Sequence, residues 1–152
     1  MVAPIKPPPE TTDDRHIDIL ARTMWGEARN QGAVGMMAVA CVVLNRLEVS
    51  KKKPGFWWGG SVAEICLKPK QFSCWNMDDP NRERMIKVTE ADPRFVDCKM
   101  LARQAVTRGV FDFTMGATHY HTKAVKPDWS GPGQTVVIRD HVFFRLPEVP
   151  AV

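Results

Sequence analysis

A chain of 152 residues with 44% hydrophobic and 25% charged positions has the size and make-up of one globular domain, neither a disordered segment nor a fibrous repeat. The net charge of +4 favours an anionic partner weakly. The basic residues are dispersed, however, and the one tight cluster, Lys51-Lys52-Lys53, falls in an expected loop. Four cysteines (Cys41, Cys66, Cys74, Cys98) without a Cys-x-x-Cys spacing exclude a zinc ribbon and a dithiol redox motif. Cys41 and Cys98 read as buried thiols on apolar helix faces, while Cys66 and Cys74 are left open to approach each other across a turn. The apolar run from Gly32 to Leu44 is shorter than the ~20 residues that cross a bilayer, so no membrane insertion is expected.

In chain order, Pro4 and Pro7-Pro8-Pro9 make residues 1–11 an extended arm. The sequence at Met1–Lys6 lacks the apolar core of a secretory signal, so the protein is expected to be made in the cytoplasm without one. A catalytic domain is expected over 12–147, with 148–152 as a tail. Thr12, Asp13 or Asp14 can cap a first helix, over which Ile17, Leu20, Ala21, Met24 and Ala28 form one apolar stripe. A second helix is predicted over Gly32 to Arg46, apolar nearly all round and therefore placed in the middle of a bundle. Ser61-Val62-Ala63-Glu64 fits a capping box that opens a short third helix, ended before Pro69. Met85, Ile86 and Val88 suggest a turn or two more. Asp92-Pro93 opens a further helix, with Phe95, Cys98, Leu101, Ala102, Ala105 and Val106 on one face and Gly109 as its stop. Beyond it, Thr118–Thr122 and Thr135–Phe144 read as extended segments separated by Pro127, Gly131, Pro132 and Gly133. The fold class is mainly α (α+β), with a small β element near the C-terminus.

One residue of the first helix carries chemistry. Glu27, in Trp25-Gly26-Glu27-Ala28-Arg29, lies along the flank of the apolar stripe, where loss of water raises a carboxyl pKa and suits it to general-acid work. Gly26 beside it is expected to let a substrate approach the backbone. The plain alternative is a helix-end glutamate paired with Arg22 or Arg29.

The segments Leu20-Ala21-Arg22, Trp25–Arg29 and Ala38–Arg46 are followed in order by Ser61–Glu64, Gln71-Phe72-Ser73, Gly116–Tyr120 and Asp140–Arg145. In this order they resemble the SleB/CwlJ-type cell wall hydrolases, a resemblance that covers about residue 15 to 146. It implies a lysozyme-like, lytic-transglycosylase-like fold, and since similar domains serve as phage endolysins, this chain is expected to be a phage-style endolysin. It implies cleavage of the glycan between N-acetylmuramic acid and N-acetylglucosamine, usually as a lytic transglycosylase without a cofactor. The implied partner is the peptidoglycan glycan strand, met by a monomer at the cell wall, with no nucleic acid involved. Glu27 matches the family's catalytic glutamate. Where the family often has an aromatic-aromatic-Asn run, this chain has Thr118-His119-Tyr120-His121-Thr122.

Tyr120, the only tyrosine, is expected to position Glu27 or the glycan. Gln71 and Ser73 offer neutral hydrogen bonds for sugar hydroxyls, His119 lies in the same wall, and Phe72, Trp75 or Trp129 have rings that stack on pyranose faces. Three alternatives stand beside this reading. A hydrolytic muramidase would take its second carboxylate from Asp78, Asp79 or Asp112. A zinc-dependent amidase or peptidase would take His119, His121 and His141 as ligands, since residues two apart on a strand share a face. A non-catalytic wall- or nucleic-acid-binding module would rest on the basic charge and five tryptophans.

Overall fold

The computed structural model describes residues 12–53 and 58–149. The proline-rich arm, most of the expected tail, and Pro54, Gly55, Phe56 and Trp57 lie outside the described residues. Five α-helices run in chain order: α1 (Thr12–Ala28), α2 (Gly32–Lys52), α3 (Val62–Leu67), α4 (Arg82–Lys87) and α5 (Pro93–Arg108). A 3₁₀ turn at Ser73–Trp75 sits between α3 and α4, and three short strands close the chain: β1 (His119–Thr122), β2 (Gln134–Ile138) and β3 (His141–Phe144).

The stripe on α1 does what its spacing requires. Ile17, Leu20, Ala21, Met24 and Ala28 are all buried, and α2, α3, α4, α5 and the 3₁₀ turn all pack against this helix. The second helix is buried without a break from Gly35 to Val43. It does not stop at Arg46, because Val49 and Ser50 continue its buried face to Lys52. Lys51 and Lys52 therefore belong to its last turn, where cations favour the helix dipole, and not to a loop. At 21 residues this helix is long and apolar enough to cross a membrane by length and composition alone. Its burial against α1, α3 and α5 makes it the core helix of a globular domain.

The caps form much as the sequence dictates. Ser61 Oγ accepts from the Glu64 amide at 3.2 Å, but the Glu64 carboxylate reaches back to the Gly60 amide at 2.7 Å, one residue earlier than a capping box requires. Asp92 caps α5 by accepting from the Arg94 and Phe95 amides, and Gly109 ends it with a φ of 76°.

The sheet is antiparallel with β3 in the middle, in the order β1-β3-β2. The single extended segment expected over Thr135–Phe144 is a hairpin, with Ile138 opposite His141. Its two-residue turn is Arg139-Asp140, and Arg139 takes a φ of 51° that carries none of the usual glycine or asparagine signal. The domain also continues past residue 147: Val149 is buried with Val49, Phe144 and Leu146. All four cysteines are buried and free, so Cys66 and Cys74 are not joined.

Candidate active site

Three segments converge on Glu27. It stands in the last turn of α1, directly below the 3₁₀ turn and beside β1. Its Oε1 accepts a 2.6 Å hydrogen bond from the Tyr120 hydroxyl. Its Oε2 accepts from the Cys74 amide at 3.3 Å and from Ser73 Oγ at 3.5 Å. The carboxylate is thus held by a cradle of donors, not laid against bare hydrocarbon, and it pairs with neither Arg22 nor Arg29. Burial and the adjacent Glu27 charge push the Tyr120 phenol well above its ordinary value, which keeps it a proton donor to the carboxylate.

Each neighbour is positioned by something buried. Phe72 is only 2% exposed and lies in the core with the Arg46 guanidinium 5.0 Å above its ring. It is an anchor for the 3₁₀ turn and has no face left for a sugar, contrary to the sequence expectation. Trp75 is likewise committed, its indole N–H donating to Thr23 Oγ1 at 2.9 Å. Gly26 lines both lobes of the groove and is needed for packing as well: a Cβ there would stand 2.7 Å from Cys74 Cβ and 2.9 Å from Met85 Sδ.

On the sheet side, Asn45 donates to the carbonyl of Ala117 at 2.9 Å and Arg46 Nε to that of Thr118 at 2.8 Å. These two bonds fix the start of β1 against α2 and so aim Tyr120. Arg46 is the functional residue that sequence reasoning passed over. It is 5% exposed, bonds Gln71 Oε1 at 3.3 Å, and has no carboxylate within ion-pair reach among the described residues. Burial lowers its pKa to about 10, against the opposing pull of Tyr120, Cys66 and Glu27. A basic residue after an apolar helical run reads as a helix end, and that signal hid it.

A groove passes over Glu27 in two lobes that share Gly26, Glu27, Asn81, Thr122 and His141. One lobe, of about 630 Å³, carries the rings of His119, Tyr120, His121 and Trp129 together with Gln71 and Ser73. Trp129 is half-buried, edge-on to Phe144 at 5.2 Å and to His119 at 5.4 Å. Burial, reinforced by the Arg46 charge, brings the His119 pKa down to about 4, so it is neutral at neutral pH. The other lobe, of about 520 Å³, runs past Arg29, Asn30, Gln31, Lys123 and Asp140.

The candidates for a second carboxylate separate clearly. Asp78 is exposed and outside the groove. Asp112 is consumed by the loop after α5, where it accepts from Asn45, Thr114 and Gly116. Of these three only Asp79 lines the groove with Glu27, its Oδ1 bonded to the Asn81 amide at 2.8 Å. The histidine triad fails on strand parity. His119 and His121 share one face of the sheet, whereas His141, paired with Thr122, shares the other with Tyr120. No group of three His, Cys, Asp or Glu side chains is placed to hold a metal among the described residues.

A mainly helical domain with a small sheet folded over a helix-end carboxylate in an open groove has a lysozyme-like architecture. The chain belongs to the cell wall hydrolase family, whose model matches residues 30–144. That match opens three residues after Glu27, so the glutamate's place rests on the geometry above. Two solved structures share the fold. The catalytic domain of the germination-specific lytic transglycosylase SleB from Bacillus anthracis is 22% identical with a TM-score of 0.64, over 92% of this chain and 100% of that one. The catalytic domain of the Bacillus cereus SleB protein gives the same identity and TM-score, over 91% of this chain and 100% of that one. No curated protein matches the chain.

Proposed function

We propose that this protein cleaves the β-1,4 bond between N-acetylmuramic acid and N-acetylglucosamine in peptidoglycan as a lytic transglycosylase, with Glu27 as both acid and base. The observation that carries this is the placement of Glu27 at the meeting of two groove lobes, with Tyr120 donating to it at 2.6 Å. A polymer lying along the groove presents one internal bond to that carboxyl group. Protonated Glu27 gives its proton to the bridging oxygen, which leaves with N-acetylglucosamine as an alcohol. The carboxylate then takes the proton of the muramic 6-hydroxyl as that oxygen bonds to the anomeric carbon and closes a 1,6-anhydro ring. No water enters and no second carboxylate is needed. The family membership and the lytic transglycosylase activity of the Bacillus anthracis SleB domain support this reading.

Asp79 keeps a second reading in play, because it lines the same groove and is a candidate to activate water for hydrolysis. Mass analysis of digested murein sacculi separates the two: 1,6-anhydromuramic ends for transglycosylation, reducing muramic ends for hydrolysis. In either case Glu27→Gln is expected to lower the rate by at least about 100-fold, the lower range of general acid–base contributions. Undiminished breakdown by that variant refutes the assignment.

A further inference from the structure

The two lobes of the groove differ in chemistry. Pyranose rings are met by flat apolar faces and neutral hydrogen bonds, and Tyr120, His119 and Trp129 all line one lobe, beside Gln71, Lys70 and the buried Arg46. Among the described residues the other lobe has no ring beyond the shared His141, and beside the shared Asn81 it is walled by the side-chain amides of Asn30 and Gln31, with Arg29 and Lys123 among them. Amides of this kind pair with peptide groups, and cations with carboxylates.

Arg29 is fixed in place before any ligand arrives. Its guanidinium stacks 4.3 Å over the Trp25 ring and bonds only neutral acceptors: the carbonyls of Trp25 at 3.2 Å and Gly26 at 3.4 Å, and Asn81 Oδ1 at 3.3 Å. Neither Arg29 nor the exposed Lys123 has a carboxylate within 4 Å among the described residues. Arg84 and Arg94 stand close enough to Arg29 to oppose its charge, with Asp92 and Asp79 acting the other way. The carboxylate that lines this lobe besides Glu27 is Asp140, and it is held by Gln31 Nε2 at 3.1 Å. Both cations therefore line the groove without a carboxylate partner among the described residues.

We infer that this lobe is a subsite for the carboxylate-bearing peptide stems of the murein strand, with Arg29 and Lys123 meeting the carboxylate and the amides of Asn30, Gln31 and Asn81 meeting the peptide. The inference rests on the proposed function of the groove, and it makes the stem-bearing strand, not the bare glycan, the preferred substrate. Preorganisation of Arg29 by the Trp25 ring and by Asn81 lowers the ordering cost of binding.

The test compares kcat/KM on three forms of the same murein: with intact stems, with stems removed by an amidase that cuts the lactyl amide, and with stem carboxylates capped as amides. Wild type is expected to favour intact over stripped strands by about tenfold, with capped strands falling to the stripped level. Lys123→Gln and Arg29→Gln are each expected to cut that preference by about threefold, in the range of a partly exposed ion pair. Lys123→Gln carries the test should Arg29→Gln disturb folding. Equal wild-type rates on all three forms, a preference that survives capping, or a preference unchanged in both variants overturns the subsite. If wild type frees no muramic ends from any form, the proposed function fails instead, and the two failures are thereby distinguished.

Discussion

Replacing Tyr120 with Phe removes one oxygen and tests whether the shortest contact in the groove matters for catalysis. The phenol donates to Glu27 Oε1 at 2.6 Å, a charge-assisted bond. Without it the carboxylate keeps only the Cys74 amide at 3.3 Å and Ser73 Oγ at 3.5 Å, both on the other oxygen and both at the weak end of hydrogen-bond geometry. A bond to a charged group contributes about 1.5–3 kcal/mol. At about 1.4 kcal/mol per decade of rate, its loss from the transition state lowers kcat/KM about 10- to 100-fold. The ring itself remains packed, 5.4 Å from Phe143 and 5.0 Å from His141. Stability is therefore expected to fall by no more than the lost bond's own contribution, about 1.5–3 kcal/mol, a melting shift of roughly 3–12 °C at this chain length. Release of soluble muropeptides from sacculi, followed by mass spectrometry beside a thermal melt, reads both quantities. A variant within twofold of wild type, while Glu27→Gln is inactive, shows that Tyr120 is only a wall of the groove.

Gly26→Ala should lower the melting temperature by several degrees, because its Cβ would stand 2.7 Å from Cys74 Cβ and overpacking costs about 1–3 kcal/mol; an unchanged melt counts against the packing role. Bacteriolytic rate should survive exhaustive chelation, since His119 and His121 lie across the sheet from His141; loss of activity restored by zinc would contradict that geometry. Asp112→Asn should destabilise the fold near neutral pH by about 1–3 kcal/mol, the usual cost of leaving buried donors unpaired. Burial raises the Asp112 pKa, but bonds from Thr114, Asn45 and Gly116 outweigh it and hold the folded value below the ordinary 3.8. A depressed folded pKa means that its stabilisation is full above the unfolded value and is lost as pH falls through the folded one. The gap in melting temperature between wild type and variant should accordingly narrow below about pH 3.8, and a constant gap would refute the linkage.

What the sequence disclosed and what it concealed follow from one distinction. Periodic burial leaves a trace in composition, so the stripe on α1, the all-apolar stretch of α2 and the Asp92-Pro93 start of α5 were readable. Contacts between distant polar groups leave none. Arg46 looked like the end of a helix, yet it is a buried cation under which Phe72 packs. Phe72 looked like a stacking ring for the same reason: a solitary aromatic between polar neighbours carries no periodicity to betray its burial. The hairpin went unseen because Arg139-Asp140 makes the turn, and a non-glycine residue at a φ of 51° has no compositional signature. Gly26 reads as room for substrate, and only the folded chain reveals that Cys74 and Met85 also pack where its Cβ would be.

The placement of Glu27 shows why these concealed contacts matter most. The Tyr120–Glu27 bond joins residues 93 apart in sequence, and neither side chain sits on a free loop. Glu27 is carried by the last turn of the helix against which most of the domain packs. Tyr120 is carried by a strand that Asn45 and Arg46 tie to α2 through two backbone carbonyls, and that the Thr118 amide ties to Phe144 at 3.0 Å. Breaking any of these buried bonds strands a polar group at a cost of about 1–3 kcal/mol, so the geometry is enforced by the stability of the core itself. The proposed role of Glu27, first as acid and then as base, requires that kind of support. Substitution of Asn45 is therefore expected to act on catalysis through the position of Tyr120, and substitution of Arg46 through Tyr120 together with Gln71 and the Phe72-anchored turn beside Glu27.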